Sequence, residues 1–301
     1  MAEHALQWRI DFADANLALL NVDVGDAAVR DLVTRVAVGG LSCDEAVAMT
    51  AARYGTRIAP RQAPVIHDFD DYLVPGSLTL ASRIVDDAHP FGIVDADQFR
   101  IVELEISRLR LVELAGDPVL GYFDYEHLKS IHRRLFRDIY NWAGQQRVGP
   151  ETSMIRFAPD TVEHGPGDPD APLMKYVYYP GPEVAEAASM QFAQLQYFRR
   201  RTDLPRAERI DRISESGGEL QSVHPFRDGN SRAMTAYFIE YHNSIGFEVD
   251  PADFLMGKPL REQMIHSWYH YQATGSHRPL NDTLDTALDP GVASREKVLG
   301  D

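Results

Sequence analysis

One short stretch constrains the fold of this chain more than any other. Residues 224–232 have the sequence His-Pro-Phe-Arg-Asp-Gly-Asn-Ser-Arg. Before them, apolar or small residues recur at three- and four-residue spacing, as on one face of a helix: Ile210, Ile213, Gly217, Leu220 and Val223. Pro225 disfavours the helical conformation of His224, so this helix should end there. A second helical pattern spans about 232–243, with Gly246 as its end signal. The stretch is therefore predicted to be a loop that joins two helices.

The loop places several chemically capable groups together. The first turn of a helix has unpaired N–H groups and the positive end of the helix dipole, so it attracts anions. Gly229 lets the backbone approach a ligand closely, while Asn230 adds amide donors and Arg232 a fork suited to phosphate oxygens. Asp228 supplies a hard oxygen ligand for Mg²⁺, and His224 is a base that titrates near neutrality. These are the groups that phosphoryl or nucleotidyl transfer needs.

Composition narrows the classes of function. Asp and Glu outnumber Lys and Arg by 45 to 30, so a nucleic-acid or anionic-membrane surface is disfavoured. Cys43 is the single cysteine of the 301-residue chain, which excludes an intrachain disulfide. We find no apolar run of membrane-spanning length and no N-terminal signal pattern. We therefore expect a cytoplasmic protein with no membrane partner and no nucleic-acid partner, with delivery into another cell left open.

The loop resembles the signature of the Fic family, in which a glycine usually sits between the Asn and the Arg. Here Ser231 takes that place, and the other eight of the nine positions match. Residues 131–144 resemble a second marked segment of the family, and residues 72–80 resemble the segment before its first core helix. The resemblance implies an all-α fold, a Fic-type helical bundle with a short β-hairpin flap over the active loop.

The resemblance also implies a reaction and its residues. Fic enzymes move AMP from ATP to a Ser, Thr or Tyr hydroxyl of a target protein, with Mg²⁺. His224 would be the general base and Asp228 the metal ligand. The nucleotide-binding residues would be Phe226, Gly229, Asn230, Ser231 and Arg232. Phe226 is expected to face the core. Because Ser231 has a Cβ, a loop that requires positive φ at this position would be strained and would hold the nucleotide differently. Transfer of UMP, GMP, phosphate or phosphocholine, and a nucleotide-binding pseudoenzyme, remain alternatives.

A hairpin is predicted shortly before the loop. Residues 147–148 and 154–157 have strand character around a Gly-Pro break, and residues 160–183 are predicted to be a long loop. By resemblance, this flap aligns an extended target segment as an added strand. The residues expected to dock the target are Thr152, Ser153, Met154, Ile155, Arg156 and Phe157.

The chain divides into three predicted parts: a small helical segment (1–60), a Fic domain (61–290) and a flexible tail (291–301). Residues 40–46 and 52–55 resemble the end of the small antitoxins that inhibit Fic enzymes, and a separate antitoxin is left open as a partner. Those antitoxins insert a glutamate that pairs with a second loop arginine. The corresponding places here hold Leu20 and Thr235, and Asn16 stands where those antitoxins have a Ser or Thr four residues before the glutamate. We therefore expect that this autoinhibition is absent and that terminal-phosphate binding is weakened or moved.

Charged and histidine residues outside the loop are expected to be structural. The helix after Asp95 carries a clean apolar stripe, and its charges are predicted to lie mostly on wet faces: Glu103, Glu105, Arg108 and Arg110. His132 is expected to be a packed core group. His266 and His270, four residues apart, lack the glutamate of a metalloprotease motif and are expected to be packed or exposed rather than metal-bound.

Overall fold

The chain is mostly α-helical in the computed structural model, which describes residues 2–23 and 26–288. In the first half of these ranges the helices are α1 (Ala2–Ala18), α2 (Ala27–Ala37), α3 (Cys43–Arg53), α4 (Ala96–Gly116) and α5 (Tyr125–Phe136). In the second half they are α6 (Val184–Arg200), α7 (Arg206–Val223), α8 (Asn230–Ser244), α9 (Pro259–Thr274) and α10 (Arg278–Ala287). The all-α prediction is confirmed. The predicted tail, 291–301, lies outside the described residues, and the domain division stays a prediction.

Side-chain caps explain where several of these helices begin. The Ser42 hydroxyl accepts a hydrogen bond from the Glu45 amide, and the Glu45 carboxylate accepts one from the Ser42 amide, so the predicted capping box is present at α3. Asp95 caps α4 and Asp124 caps α5, through amides three residues on, at 2.9 and 2.8 Å. Each such cap contributes about 1 kcal/mol, because it satisfies an amide that the helix itself leaves unpaired.

The described strands form two antiparallel pairs. The strand β1 (Arg57–Ile58) pairs with β2 (Ile84–Val85), and β3 (Ile155–Pro159) pairs with β4 (Leu173–Val177). The second pair is the predicted hairpin, but its partner strand was predicted wrongly. β3 pairs with residues 173–177, inside the segment expected to be a loop, and residues 147–148 are not in a strand. Short 3₁₀ turns occupy Asp70–Tyr72, Gly181–Glu183 and Pro251–Phe254.

Helix α4 lies at the centre of the packing, against α1, α2, α3 and α5, while α5 packs on α8. Its apolar stripe is buried, as predicted: Phe99, Val102, Ile106, Leu109 and Val112. The prediction for its charged residues is wrong, because all four are buried as well: Glu103, Glu105, Arg108 and Arg110. A helix covered by neighbours on most sides has few wet faces, so its charges must find partners inside the protein.

Those partners tie the N-terminal helices to the core. Arg110 Nη2 lies 2.5 Å from Asp44 of α3, and its Nε lies 2.6 Å from Asp138. Arg108 Nε lies 3.4 Å from an Asp14 carboxylate oxygen of α1. The Tyr54 hydroxyl donates to Glu105 at 2.6 Å. Arg108 is buried, so removing its partner Asp14 would leave a poorly compensated buried charge, which is destabilising.

Among the described residues, we find no helix that combines the length and the apolar character needed to cross a bilayer.

Candidate active site: the loop between α7 and α8

The loop has the predicted helix–loop–helix form. α7 ends at Val223, and His224 takes a left-handed conformation with φ 51° as its C-cap. Gly229 has φ 79° and precedes the first residue of α8, Asn230. Ser231 therefore lies inside α8, so the loop does not require positive φ at this residue. The loop places its positive φ at Gly229, where no side chain opposes it, and at His224.

Asn230 holds the loop closed. Its Oδ1 accepts a hydrogen bond from the Phe226 amide, and its Nδ2 donates to the Phe226 carbonyl, both at 2.8 Å. The side chain is buried. This differs from the expectation that the amide donors face a ligand, since both polar ends are occupied by one peptide unit. The side chain of Asn230 therefore shapes the loop, while its backbone N–H belongs to the unpaired first turn of α8.

Phe226 and His132 pack together in the core and hold the loop in position. Phe226 is fully buried, as predicted, and its ring stacks on the His132 imidazole at 3.8 Å. The Gly144 amide donates to His132 Nδ1 at 2.9 Å, so Nε2 carries the proton and donates to the Asp228 carbonyl at 3.0 Å. Burial lowers the pKa of His132 to about 3. The prediction that His132 is a packed structural residue is confirmed, and Phe226 acts by positioning the loop.

A cleft of about 510 Å³ opens over the loop, within the size range of small-molecule sites. The loop contributes all but two of its nine residues to the walls: His224, Arg227, Asp228, Gly229, Asn230, Ser231 and Arg232. Other elements complete the cleft, among them Arg156 from β3, Arg100 and Glu103 from α4, and Leu20 after α1. We call this space the cleft.

His224 is held in a neutral state. Its ring stacks on Tyr178 with the centroids 4.0 Å apart. Burial lowers the pKa of His224 to about 3, and the positive charges of Arg147 and Arg156 act in the same direction. Arg147 is itself fixed by backbone carbonyls, including that of His224 at 2.8 Å. An imidazole that is neutral at physiological pH can accept a proton from a hydroxyl group in the cleft.

Arg232 is buried within a polar cluster that joins α8 to α4. Its Nη1 lies 2.6 Å from Glu103 Oε1 and 2.8 Å from the Ser107 hydroxyl, and its Nη2 lies 3.3 Å from Asp228 Oδ1. Burial raises the pKa of Glu103 to about 7, although Arg232 opposes the shift. Glu103 is a cleft residue that sequence analysis missed. Glu103 and Ser107 are four residues apart, which places them side by side on one face of α4. This spacing was the signal in the sequence that the two residues share a partner.

Arg227 was also missed as a cleft residue. Its guanidinium lies over the Phe69 ring, 4.3 Å from the centroid, and 5.9 Å from that of Tyr72. These aromatic contacts hold a positive charge at the edge of the cleft. The residue occupies a variable position of the loop signature, so the motif carried no signal for it.

Asp228 is the group in the cleft best suited to a divalent cation. Its side chain is 42% exposed, so a metal can reach the carboxylate. Within the described ranges, we find no group of three or more His, Cys, Asp or Glu side chains arranged to hold a metal. This composition fits Mg²⁺, which commonly takes one or two carboxylates and completes its shell with water and substrate phosphates. It does not fit a cage made only of protein ligands.

Leu20 and Thr235 stand at the places of the inhibitory glutamate and the second loop arginine, and they line different cavities. Leu20 lines the cleft. Thr235 lines a separate, mostly apolar cavity of about 70 Å³ between α7, α8 and α10. Asn16, at the place of the inhibitory serine, is buried and donates to the Phe12 carbonyl at 2.8 Å. These positions therefore hold an apolar residue and two uncharged polar residues.

The remaining histidine predictions are consistent with structural roles. His266 Nε2 lies 3.0 Å from the His164 carbonyl, and His270 Nδ1 lies 2.8 Å from the Thr161 carbonyl. Both histidines anchor the loop between β3 and β4 to α9.

The protein is a helical bundle whose cleft contains the basic residue His224 and the open N-terminus of α8. Comparison with known sequences identifies the central part of the chain. Residues 122–241 match the model of the Fic/DOC family, and the chain contains a domain of this family.

The related proteins include two adenylyltransferases. Protein adenylyltransferase VbhT of Bartonella schoenbuchensis is 29% identical over 213 residues, which cover 69% of this chain and 40% of that protein. The probable protein adenylyltransferase Fic of Escherichia coli is 24% identical over 180 residues, or 60% of this chain and 76% of that protein. The chain thus spans less than half the length of VbhT.

Solved structures share the fold at low sequence identity. The Fic domain of Bep8 from Bartonella sp. 1-1C has a TM-score of 0.56 and 18% identity, and covers 74% of this chain and 96% of that one. BepC of Bartonella tribocorum, with bound AMPPNP, has a TM-score of 0.55 and 21% identity, and covers 73% and 97%. These similarities support the Fic-type helical fold with its hairpin.

Proposed function

We propose that the protein transfers AMP from ATP to a hydroxyl side chain of a target protein, with His224 as the general base. The single observation that carries the proposal is the composition of the cleft. A neutral histidine, an accessible carboxylate and the first turn of α8 line one space large enough for a nucleotide. The names of the related adenylyltransferases support the same reaction.

The proposed reaction is a nucleophilic substitution at the α-phosphorus of ATP. The imidazole of His224 takes the proton of a Ser, Thr or Tyr hydroxyl as its oxygen forms a bond to that phosphorus. The bond to the bridging oxygen breaks, and pyrophosphate leaves with the electron pair. Negative charge that develops on the phosphoryl oxygens faces the unpaired amides of Asn230, Ser231 and Arg232 in the first turn of α8.

Asp228 would hold Mg²⁺ in this proposal. A bound Mg²⁺ neutralises phosphate charge and helps to orient the nucleotide. Asp228 lines the cleft beside the first turn of α8, where the phosphates would bind. Gly229 brings the backbone to the ligand without a side chain between them.

The hairpin supplies an open edge for the target. In the described part of the chain, β3 pairs with β4 alone, which leaves its other edge available for an added strand. Ile155 and Phe157 are 52% and 60% exposed and would pack against the target's side chains. Thr152, Ser153 and Met154 precede β3 in an irregular segment, where they could contact a longer target.

Intact-protein mass spectrometry tests the proposal directly, because Fic enzymes often label themselves. The protein is incubated with Mg²⁺ and ATP, GTP, UTP or CTP. His224→Ala is compared with wild type, and His4→Ala, which removes an exposed histidine of α1 away from the cleft, serves as the matched control. We expect a gain of one AMP in wild type and His4→Ala and no gain in His224→Ala. Retained labelling in a folded His224→Ala protein would remove His224 as the base.

A different donor is the second candidate. The observation in its favour is Thr235, which stands at the place of the second loop arginine and lines a separate cavity. A gain of another nucleotide in the same experiment would identify that donor. Measurable nucleotide binding without any gain would favour a binding protein that lacks turnover.

A further inference from the structure

We propose that Arg156 of the hairpin binds the α-phosphate of the nucleotide and is therefore a residue of the nucleotide site rather than of the target-docking edge. This inference rests on the proposed function, because it takes a nucleoside phosphate as the ligand. It differs from the expectation that all of residues 152–157 dock the target.

The hairpin geometry sends Arg156 inward. Side chains alternate between the two faces of a strand. Ile155 and Phe157 are exposed on the outer face. On the other face Ala158 is buried, and Arg156 is solvent-exposed where it lines the open cleft. The residue opposite Arg156 on β4 is Tyr176, which is also buried and contacts Tyr269 of α9 with the ring centroids 4.7 Å apart. Arg156 thus enters the cleft from the covered face of the hairpin.

The charged groups of the cleft leave the Arg156 guanidinium available to bind an anion. Both Nη atoms of Arg232 already contact protein groups: Glu103, Ser107 and Asp228. Within residues 2–23 and 26–288, no Asp or Glu carboxylate lies within 4 Å of the Arg156 guanidinium. A guanidinium without a carboxylate partner retains its forked donors for phosphate oxygens.

Proximity to His224 assigns the α-phosphate. Arg156 and His224 line the same cleft. Tyr178, whose ring stacks on the His224 imidazole with the centroids 4.0 Å apart, directly follows β4, the strand that pairs with β3. The positive charge of Arg156 also lowers the pKa of His224. The attacking hydroxyl must lie beside that imidazole, and the phosphorus that it attacks is the α-phosphorus. The leaving pyrophosphate lies on the opposite side in an in-line substitution. A cation close to the base is therefore close to the α-phosphate and farther from the terminal one.

Binding of a ligand series tests this assignment without any target protein. Adenosine, AMP and ATP are titrated by calorimetry, with Mg²⁺, into wild type, Arg156→Gln and Arg156→Lys. We expect Arg156→Gln to weaken AMP and ATP by a similar factor, roughly tenfold, and to leave adenosine unchanged, because one charge-assisted contact to the α-phosphate is lost. Arg156→Lys, which keeps the charge, should recover part of the affinity.

Lys175→Gln is the matched control. It removes the same charge from the same hairpin, but Lys175 lies opposite Phe157 and so belongs to the outer face. If Lys175→Gln weakens the binding of AMP and ATP to a similar extent, the loss reflects the overall positive charge of the hairpin. That result would overturn the assignment of Arg156. Loss of ATP binding alone would place Arg156 at the terminal phosphates, and unchanged binding of all three ligands would return it to the target edge. If wild type binds no nucleotide, the proposed function itself fails.

Discussion

Gly229→Ala should be much more destabilising than the same substitution at Gly246. Both glycines have nearly the same backbone conformation, with φ of 79° and 80°. An alanine at such a φ costs about 1–2 kcal/mol at either position. The two sites differ in what surrounds the added Cβ. At Gly246 nothing lies within 4 Å, whereas at Gly229 the Cβ would lie 2.4 Å from two ring carbons of Phe136.

Phe136 has little room to move. Its ring is fully buried, contacts the His132 ring with centroids 4.6 Å apart, and lies under the Arg232 guanidinium at 4.6 Å. Forcing extra volume into such packing costs about 1–3 kcal/mol. We therefore expect Gly229→Ala to lose about 1–3 kcal/mol more of the free energy of unfolding than Gly246→Ala. Because the shift would reach the first turn of α8, nucleotide affinity should fall in Gly229→Ala only.

Urea unfolding of both variants beside wild type, with the slope m held in common, measures the difference. Calorimetric titration with ATP then measures binding under conditions where each variant is folded. Equal destabilisation of the two variants would refute the packing argument, since only the backbone term would then be at work. A destabilised Gly229→Ala that binds ATP normally would show that the loop geometry tolerates the displaced ring.

Three further outcomes follow from the site and its surroundings. Asn230→Ala should lower the free energy of unfolding by about 2–3 kcal/mol, because two buried backbone groups of Phe226 lose their partners, and urea unfolding measures the loss. Ser231→Gly should leave nucleotide affinity within about twofold of wild type and cost up to about 1 kcal/mol of stability, because the residue lies in a helix. His242→Leu should make the protein less sensitive to acid. Burial lowers the pKa of His242 to about 3, so stability from this group is full above the unfolded pKa near 6.5 and is lost as the pH falls toward 3. Its removal should flatten the decline by about 1.4 kcal/mol per pH unit between pH 6 and 4 in urea unfolding.

Each of these has a contrary result. Wild-type stability in Asn230→Ala would mean that water replaces the side chain in holding the loop. A marked gain in ATP affinity for Ser231→Gly would show that the serine does strain the site. A wild-type pH profile in His242→Leu would mean that His242 does not titrate with unfolding.

Short-range features of this protein were predictable from the sequence. The end of α7 at His224, the Ser42–Glu45 box and the caps of α4 and α5 depend on contacts within about four residues, so the local sequence specifies them. Phe226 is buried, as the resemblance to the Fic family implied. The loop motif also located the histidine, the carboxylate and the helix N-terminus of the cleft.

Tertiary structure decided the rest. Glu103 pairs with Arg232, which is 129 residues away in the sequence. The strand β4, which pairs with β3, lies in a segment whose sequence indicated a loop. The charged residues of α4 are buried because four other helices cover it, which its own periodicity does not reveal. Such pairings depend on how helices pack, since burial forces each charge to find a partner wherever the fold provides one. The sequence by itself therefore determined which groups the loop carries, while the packing of α4 and the hairpin determined which of them remain available to a ligand.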